Sequence, residues 1–219
     1  MQLQIAPSLL SADFLNLDKD LEMLNESADL IHLDVMDGTL VPNISFGFSV
    51  VEPLCKKAKI TTDAHLMIVN PDKYFERFAA AGVNMLSFHL EAARKARKNP
   101  SKMLQQIRSL GMKAGIAINP DIPAKKLFPY LKDADFVLVM SVFAGFGGQK
   151  FIYESLDKVS ELKAEIERQG LECKIEVDGG IGLKEAALLR EAGAEILVAG
   201  SSVFKSADPA ATIAQLREA

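Results

Sequence analysis

Short apolar runs alternate with amphipathic stretches along the whole chain. Eight of these runs have the length and the apolar content of buried strands. They are Gln4–Leu9, Leu30–Val35, Thr62–Met67, Met85–His89, Lys113–Ile118, Phe136–Ser141, Lys174–Asp178 and Ile196–Ala199. Eight strands at a spacing of roughly 27 residues, with helical patterns between them, predict a parallel sheet covered by helices.

The helical stretches carry their own start and stop signals. Three of them place a capping side chain before a proline at the first helical position. These pairs are Asn70-Pro71, Asn99-Pro100 and Asp208-Pro209. Four glycines stand where a helix must end before the next strand, which predicts a left-handed C-terminal conformation. They are Gly82, Gly111, Gly170 and Gly193.

Two architectures fit alternating strands and helices: a closed (β/α)₈ barrel and an open, doubly wound sheet. Eight units favour the closed barrel, and no GxGxxG motif follows the first strand to indicate a dinucleotide-binding sheet. The chain has no low-complexity tract or linker that would mark a second domain. We therefore expect residues 1–219 to form a single (β/α)₈ TIM barrel.

Composition narrows the possible partners. The formal net charge is −4, so nucleic acid and anionic membrane surfaces are not expected to bind. An anionic substrate stays possible, because backbone N–H groups bind phosphate without lysine. Cys55 and Cys173 are isolated, and no run approaches the ~20 apolar residues of a membrane span. These features predict a soluble protein in the cytoplasm.

The second predicted strand brings the first cluster of chemistry. His32, Asp34 and Met36 alternate onto one face of it. His65 in the third strand and Asp178 in the seventh would lie at the same carboxyl end of a barrel. Two imidazoles and two carboxylates suit Zn²⁺, Fe²⁺, Co²⁺ or Mn²⁺ better than Ca²⁺ or Mg²⁺. We expect His32, Asp34, His65 and Asp178 to hold one divalent ion per subunit, in preference to four unrelated polar residues.

Further polar residues surround this group. Asp63 and Glu176 stand one layer below His65 and Asp178 and are candidate partners for the ligands. His89 also ends a strand and is followed by Glu91. It either contacts a ligand or is simply hydrogen-bonded elsewhere.

A metal flanked by two carboxylates is typical of proton transfer beside a carbonyl. Asp34 and Asp178, from well-separated strands, could serve opposite faces of one carbon and so invert a stereocentre. Loss of a proton beside a carbonyl produces an enediolate. Three methionines near strand ends either fill the core or form a water-excluding lid over that enediolate. They are Met36, Met67 and Met140.

Glycines follow the sixth, seventh and eighth strands. The segments are Gly145-Phe146-Gly147-Gly148, Gly179-Gly180 and Gly200-Ser201-Ser202. In such barrels the last loops commonly bind phosphate through backbone N–H groups. Turns need glycine anyway, but glycines on three neighbouring strands favour a phosphate site. The segment Ser141–Lys150 is long enough to form a flap over the ligand.

These motifs resemble the ribulose-phosphate 3-epimerase family along the whole chain. The matching segments are Ile5–Asp13, His32–Gly38, Val41–Ile44, His65–Met67, Phe88–Ala92, Gly145–Phe151, Glu176–Gly180 and Ala199–Ser201. The resemblance implies a TIM barrel of the ribulose-phosphate-binding type. It implies an epimerase that interconverts D-ribulose 5-phosphate and D-xylulose 5-phosphate in the pentose phosphate pathway. It implies that Asp34 and Asp178 are the acid/base pair and that His32, Asp34, His65 and Asp178 bind the metal.

The resemblance also implies substrate contacts and assembly. Ser8 and His65 would touch the sugar, together with Asp178. The residues implied on the phosphate side are Gly145, Phe146, Gly147, Gly148, Gly179, Gly180, Gly200 and Ser201. Members are commonly homo-oligomers, either dimers or hexamers.

Two departures from the family pattern lie in loops. Phe143-Ala144 replace an acidic or amide residue followed by proline, which predicts a looser start of the flap. Thr39-Leu40 replace the usual His-Phe pair. The alternatives left open are a 3-epimerase of a six-carbon ketose phosphate, such as allulose 6-phosphate, a metal-free isomerase or lyase, and a catalytically silent phosphate-binding barrel.

Overall fold

Eight parallel strands, described in a computed structural model that covers residues 2–219, form one nearly closed barrel. The strands are β1 (Gln4–Pro7), β2 (Leu30–Met36), β3 (Thr61–Met67), β4 (Met85–His89), β5 (Lys113–Ile118), β6 (Phe136–Met140), β7 (Lys174–Asp178) and β8 (Ile196–Ala199). From β2 to β8 each strand pairs with the next in the chain, and β1 pairs with β8. A single bridge between Ser8 and His32 joins β1 to β2. The predicted (β/α)₈ barrel is therefore confirmed.

Helices connect successive strands around the outside of the barrel. They are α1 (Leu17–Ser27), α2 (Phe48–Lys57), α3 (Phe75–Ala81), α4 (Leu90–Lys95), α5 (Pro100–Ser109), α6 (Ser155–Gln169), α7 (Leu183–Ala192), α8 (Ser201–Phe204) and α9 (Pro209–Glu218). Short 3₁₀ helices span Leu9–Ser11, Pro71–Lys73, Ala124–Lys126 and Phe128–Tyr130. Within the described residues, no helix is long and apolar enough to cross a membrane.

The connection from β5 to β6 departs from the regular pattern. It contains two 3₁₀ helices in place of an α-helix, because Pro120, Pro123 and Pro129 interrupt the segment. The ammonium of Lys158 in α6 holds this loop by donating hydrogen bonds to the carbonyl oxygens of Asn119 (3.4 Å), Ile122 (2.8 Å) and Pro120. The loop thereby keeps a fixed path beside the end of β5.

Most predicted boundaries hold. Asn99 and Asp208 accept capping hydrogen bonds from Lys102 N and Ala211 N. The four glycines expected to end helices all have positive φ angles. Asn70 is an exception: it has a φ of 50°, makes no capping bond and precedes a 3₁₀ helix. The first strand ends two residues early, because the Ser8 side chain accepts a hydrogen bond from Leu10 N and starts a 3₁₀ turn.

Alternation along the strands divides the interior into two regions. All seven residues of β2 are buried. Leu33 and Val35 belong to the large apolar cluster beneath the helices, while His32 and Asp34 face the barrel axis. The amino-terminal half of the axis is filled by apolar side chains, including Leu30 and Phe136. The polar groups therefore gather in the carboxyl-terminal half, where the catalytic sites of such barrels lie.

Candidate active site

Four side chains from three strands meet near the barrel axis. They are His32 and Asp34 from β2, His65 from β3 and Asp178 at the end of β7, and one ligand atom from each lies within 4.8 Å of the others. The Oδ1 atom of Asp34 is 3.4 Å from His32 Nε2 and 3.3 Å from His65 Nδ1. The Oδ2 atom of Asp178 is 3.8 Å from His65 Nδ1. The structure thus brings together all four predicted ligands.

The donor atoms of this cluster fit a divalent cation. His32 Nε2 and His65 Nδ1 are buried and lack a hydrogen-bond partner among the described residues. A buried nitrogen without a partner is costly unless another group occupies its lone pair. Two such nitrogens beside two carboxylates form the mixed nitrogen and oxygen set that borderline metals prefer.

A second layer orients His32. Asp63 Oδ2 lies 2.6 Å from His32 Nδ1, and Glu176 Oε1 lies 3.5 Å from the same atom. The close carboxylate places the imidazole proton on Nδ1 and leaves Nε2 free for the cluster. The prediction that Asp63 and Glu176 are partners of the ligands is therefore correct for His32. Among the described residues, neither carboxylate forms a hydrogen bond with Asp178.

His89 directly contacts His65, one of the predicted ligands. Its Nε2 atom is 2.8 Å from His65 Nε2, and the two rings stack with centroids 4.9 Å apart. Glu91 Oε1 lies 3.6 Å from His89 Nδ1, and Asn119 Nδ2 donates to that oxygen at 2.9 Å. The sequence did not single out Asn119. Its position directly after β5, at the catalytic end of the barrel, was the signal that could have identified it.

Burial and mutual charge separate the pKa values of the two carboxylates. Burial and the charge of Asp34 raise the pKa of Asp178 to about 8. Burial alone would also raise the pKa of Asp34, but His32 and His65 lower it well below its usual range. Burial lowers the pKa of His65 to about 4. The two carboxyl groups therefore differ in their affinity for a proton, as a proton acceptor and a proton donor must.

A cavity opens above this pair at the ends of β6, β7 and β8. It is lined by Asp34 and Asp178 and by the predicted Ser8, Met36, Met67, Met140, Gly145, Phe146, Gly147, Gly148, Gly179, Gly180, Gly200 and Ser201. Ser8 Oγ donates a hydrogen bond of 2.5 Å to Asp34 Oδ2. His65 is fully buried beneath the cavity. It belongs to the group of four predicted ligands, called the cation cluster below: His32, Asp34, His65 and Asp178. The structure thus brings the remaining predicted site residues together.

The glycines let three loops approach each other closely. A Cβ atom on Gly180 would lie 2.6 Å from Phe151 N, and one on Gly200 would lie 2.7 Å from Ser11 Oγ. Gly180 also has a φ of 66°, which side chains rarely adopt. The cavity wall at this end is therefore largely backbone, which suits an anionic group.

Comparison with known proteins agrees with this geometry. The profile of the ribulose-phosphate 3 epimerase family matches residues 4–204. The ribulose-phosphate 3-epimerase of Synechocystis sp. is 45% identical over 214 residues, which cover 97% of this chain and 92% of the relative. That of Bacillus subtilis is 42% identical over 217 residues, which cover 98% of each chain. The chain belongs to the ribulose-phosphate 3-epimerase family. It is an enzyme of the isomerase class.

Solved structures of more distant proteins show the same barrel as this epimerase. KGPDC from Streptococcus mutans superposes with a TM-score of 0.74 at 12% identity, covering 100% of this chain and 97% of that one. 3-Hexulose-6-phosphate synthase gives a TM-score of 0.70 at 20% identity, covering 100% and 99%. At such low identities these likenesses concern the fold alone.

The flap of the epimerase, Ser141–Lys150, is held at several points. Gln149 Nε2 donates to the carbonyl oxygens of Phe143 (2.7 Å) and Phe146 (2.8 Å) within it. Asn43 Nδ2 donates to Gly145 O at 2.7 Å. Ala144 N donates to Asn119 Oδ1 at 3.0 Å, a bond that proline could not make. This bond opposes the loosening predicted at Ala144, and the looser flap start stays a prediction.

The second departure from the family pattern lies away from the cavity. Thr39 N and Leu40 N both donate to Asp37 Oδ1, at 2.8 Å and 3.1 Å, and so form a local turn. Neither residue is among the described residues that line the cavity. The change at Thr39-Leu40 thus leaves the immediate surroundings of the two carboxylates intact.

Proposed function

We propose that this epimerase is metal-dependent and interconverts D-ribulose 5-phosphate and D-xylulose 5-phosphate, a reaction of the pentose phosphate pathway. The observation that carries the proposal is the pair of carboxylates, Asp34 and Asp178, which face one cavity with pKa values shifted in opposite directions. Both lie beside buried histidine nitrogens that lack a partner among the described residues.

In the proposed mechanism the two carboxyl groups act on opposite faces of C3. Asp34, kept ionised by His32 and His65, removes the C3 proton from one face. Asp178, with a pKa of about 8, delivers a proton to the other face. The reverse reaction exchanges the two roles. The Ser8 hydroxyl, which donates to Asp34 Oδ2, orients the carboxylate toward the substrate.

The metal would be held by His32, Asp34, His65 and Asp178. A bound divalent ion, Zn²⁺, Fe²⁺, Co²⁺ or Mn²⁺, would polarise the substrate carbonyl and stabilise the negative charge that develops as the proton leaves. Met36, Met67 and Met140 line the cavity beside the carboxylates and exclude water from the reacting carbon.

The remaining wall suits the phosphate end of the substrate. The loops after β6, β7 and β8 present glycine-rich backbone to the cavity, and the first of these loops is the flap. Backbone N–H groups bind phosphate without a compensating cation, which agrees with the acidic net charge of the chain. Gly145–Gly148, Gly179, Gly180, Gly200 and Ser201 form this proposed phosphate site.

The deciding experiment combines metal analysis with proton exchange. We expect about one divalent ion per chain, deuterium incorporation at C3 of ribulose 5-phosphate in D₂O, and formation of xylulose 5-phosphate. Turnover that survives complete removal of metal by a chelator would contradict metal dependence. Bound metal without exchange on the pentulose would move the assignment to a longer ketose phosphate. Absence of both metal and exchange would indicate a catalytically silent barrel.

A further inference from the structure

A line of polar groups runs from the cation cluster to the loop after β5. It begins at His65, whose Nε2 atom is 2.8 Å from His89 Nε2. Both rings are fully buried. It continues to Glu91, whose Oε1 atom is 3.6 Å from His89 Nδ1, and ends at Asn119. The backbone N and the side-chain Nδ2 of Asn119 both donate to Glu91 Oε1, at 3.1 Å and 2.9 Å.

The first contact couples the positions of the protons along this line. Two imidazole nitrogens at 2.8 Å share one proton, because one must donate and the other accept. If His65 binds a metal through Nδ1, its own proton must be on Nε2. His89 then accepts at Nε2 and carries its proton on Nδ1, which faces Glu91 Oε1.

We propose that Glu91 is a positioning residue that holds His65, through His89, in the tautomer whose Nδ1 is free to bind the metal ion. The inference rests on the proposed function, since it concerns how a proposed ligand is presented. Glu91 touches neither the ion nor the substrate in this scheme. It acts through His89, and Asn119 fixes its carboxylate by donating two hydrogen bonds.

Two carboxylates compete for the tautomer of the histidine pair. Asp34 Oδ1 is 3.3 Å from His65 Nδ1 and therefore favours a proton on that nitrogen, where it would block metal binding. Glu91 favours the opposite arrangement by attracting the proton of His89. Asn119 Nδ2 also lies 3.5 Å from His89 Nδ1 and, being a donor, favours a lone pair on that nitrogen, so the charge of Glu91 acts against Asn119 as well as against Asp34. Removal of Glu91 leaves the influence of Asp34 unopposed.

The direct test is the tautomer of each histidine in the zinc-loaded protein. The chain has 3 histidines, so ¹⁵N-histidine labelling and long-range ¹H–¹⁵N correlation spectra can be assigned with single substitutions. We expect the proton of His65 on Nε2 and that of His89 on Nδ1. A proton on His89 Nε2 in the zinc-loaded protein would overturn the inference without any variant being needed.

Substitutions at Glu91 test the direction of the effect. Glu91→Leu should weaken zinc binding by about 10- to 100-fold in competition with a chelator, as expected for loss of an outer partner of a ligand. Glu91→Gln keeps an acceptor oxygen for Asn119 and His89, and should restore most of the affinity. Glu22→Leu, on the exposed face of α1, is the matched control and should bind zinc as the wild type does.

The outcomes separate this inference from the proposed function. A wild-type protein that binds zinc and exchanges the C3 proton, with unchanged zinc affinity in a folded Glu91→Leu variant, would refute the inference alone. A wild-type protein that binds no zinc would refute the proposed metal dependence and the inference with it. Thermal unfolding of each variant identifies loss of fold. If Glu91→Leu does not fold, the histidine tautomers of the wild type and the zinc affinity of Glu91→Gln test the inference.

Discussion

Ala144 N donates a hydrogen bond of 3.0 Å to Asn119 Oδ1 and so joins the flap to the end of β5. The same Asn119 side chain donates through Nδ2 to Glu91. The flap is thus connected to the line of polar groups that begins at His65 and ends at Asn119. Because proline lacks an N–H group, a proline at position 144 could not make this connection.

The Ala144–Asn119 bond predicts that Ala144→Pro loosens the flap. The substitution removes the donor and leaves Asn119 Oδ1 without its partner, at a cost of about 1–3 kcal/mol. We expect weaker binding of inorganic phosphate by calorimetry and faster chymotrypsin cleavage after Phe143 and Phe146, which are 52% and 53% exposed. Ala144→Ser keeps the N–H and should behave as wild type. Slower cleavage and tighter phosphate binding in Ala144→Pro would show that the fixed φ of proline matters more than the bond.

The two-carboxylate mechanism predicts a large loss of activity in Asp178→Asn. The amide cannot carry the proton, and removal of a general acid or base typically costs roughly 10²- to 10⁴-fold in rate. Burial raises the pKa of Asp178, so in the metal-free protein a neutral amide of the same size should leave thermal stability unchanged or slightly higher. Asp157→Asn, exposed in the first turn of α6, is the control for turnover. Wild-type turnover in Asp178→Asn would eliminate this residue as a proton carrier.

The close approach at Gly180 predicts that Gly180→Ala weakens phosphate binding by about tenfold, or 1.4 kcal/mol. The added Cβ would lie 2.6 Å from Phe151 N and 2.8 Å from Gln149 O, so the flap must move away. Gly111→Ala has the same left-handed backbone, with a φ of 86°, but its Cβ would meet nothing within 4 Å. It therefore controls for backbone strain. Equal phosphate affinity in the two variants, measured by calorimetry, would contradict the steric argument.

Asp135, at the other end of the barrel, predicts a pH-dependent contribution to stability. Burial alone would raise its pKa, but the guanidinium of Arg108 and the Ala114 N–H group lower it below its usual range. A lowered folded pKa means that the stabilisation is fully present above the unfolded pKa of about 3.8 and is lost as pH falls through the lower folded value. We expect Asp135→Asn to lower the free energy of unfolding by about 1 kcal/mol at neutral pH, after allowance for solvent screening of the half-exposed Arg108.

Urea unfolding at neutral and at strongly acid pH checks this prediction. The difference between wild type and Asp135→Asn should shrink in acid, where both carry an uncharged side chain at this position. Asp18→Asn breaks an ion pair with Lys57 whose side chains are 64% and 63% exposed, and should change stability by under about 0.5 kcal/mol. A difference for Asp135→Asn that stays constant with pH would contradict the electrostatic explanation.

Much of the fold was predictable because the periodicity of a parallel barrel is local. Each buried strand is a short apolar run, and side chains alternate between the helix layer and the axis. Alternation therefore puts His32 and Asp34 on the same face of β2, which in the barrel is the face toward the axis. The structure of the segment after β5 was harder to predict. The segment is long enough for a helix between β5 and β6, but its prolines prevent a regular one.

By itself the sequence determined where the strands lie and which polar residues end them, because both depend on contacts between near neighbours. Only the tertiary structure decided which nitrogen of each histidine faces the cluster and which partner holds the other nitrogen. The contacts of His65 with His89, of Asn119 with Glu91 and of Ala144 with Asn119 join residues 24, 28 and 25 positions apart. Such contacts are set by the register and curvature of the closed barrel, and no local pattern in the chain encodes them.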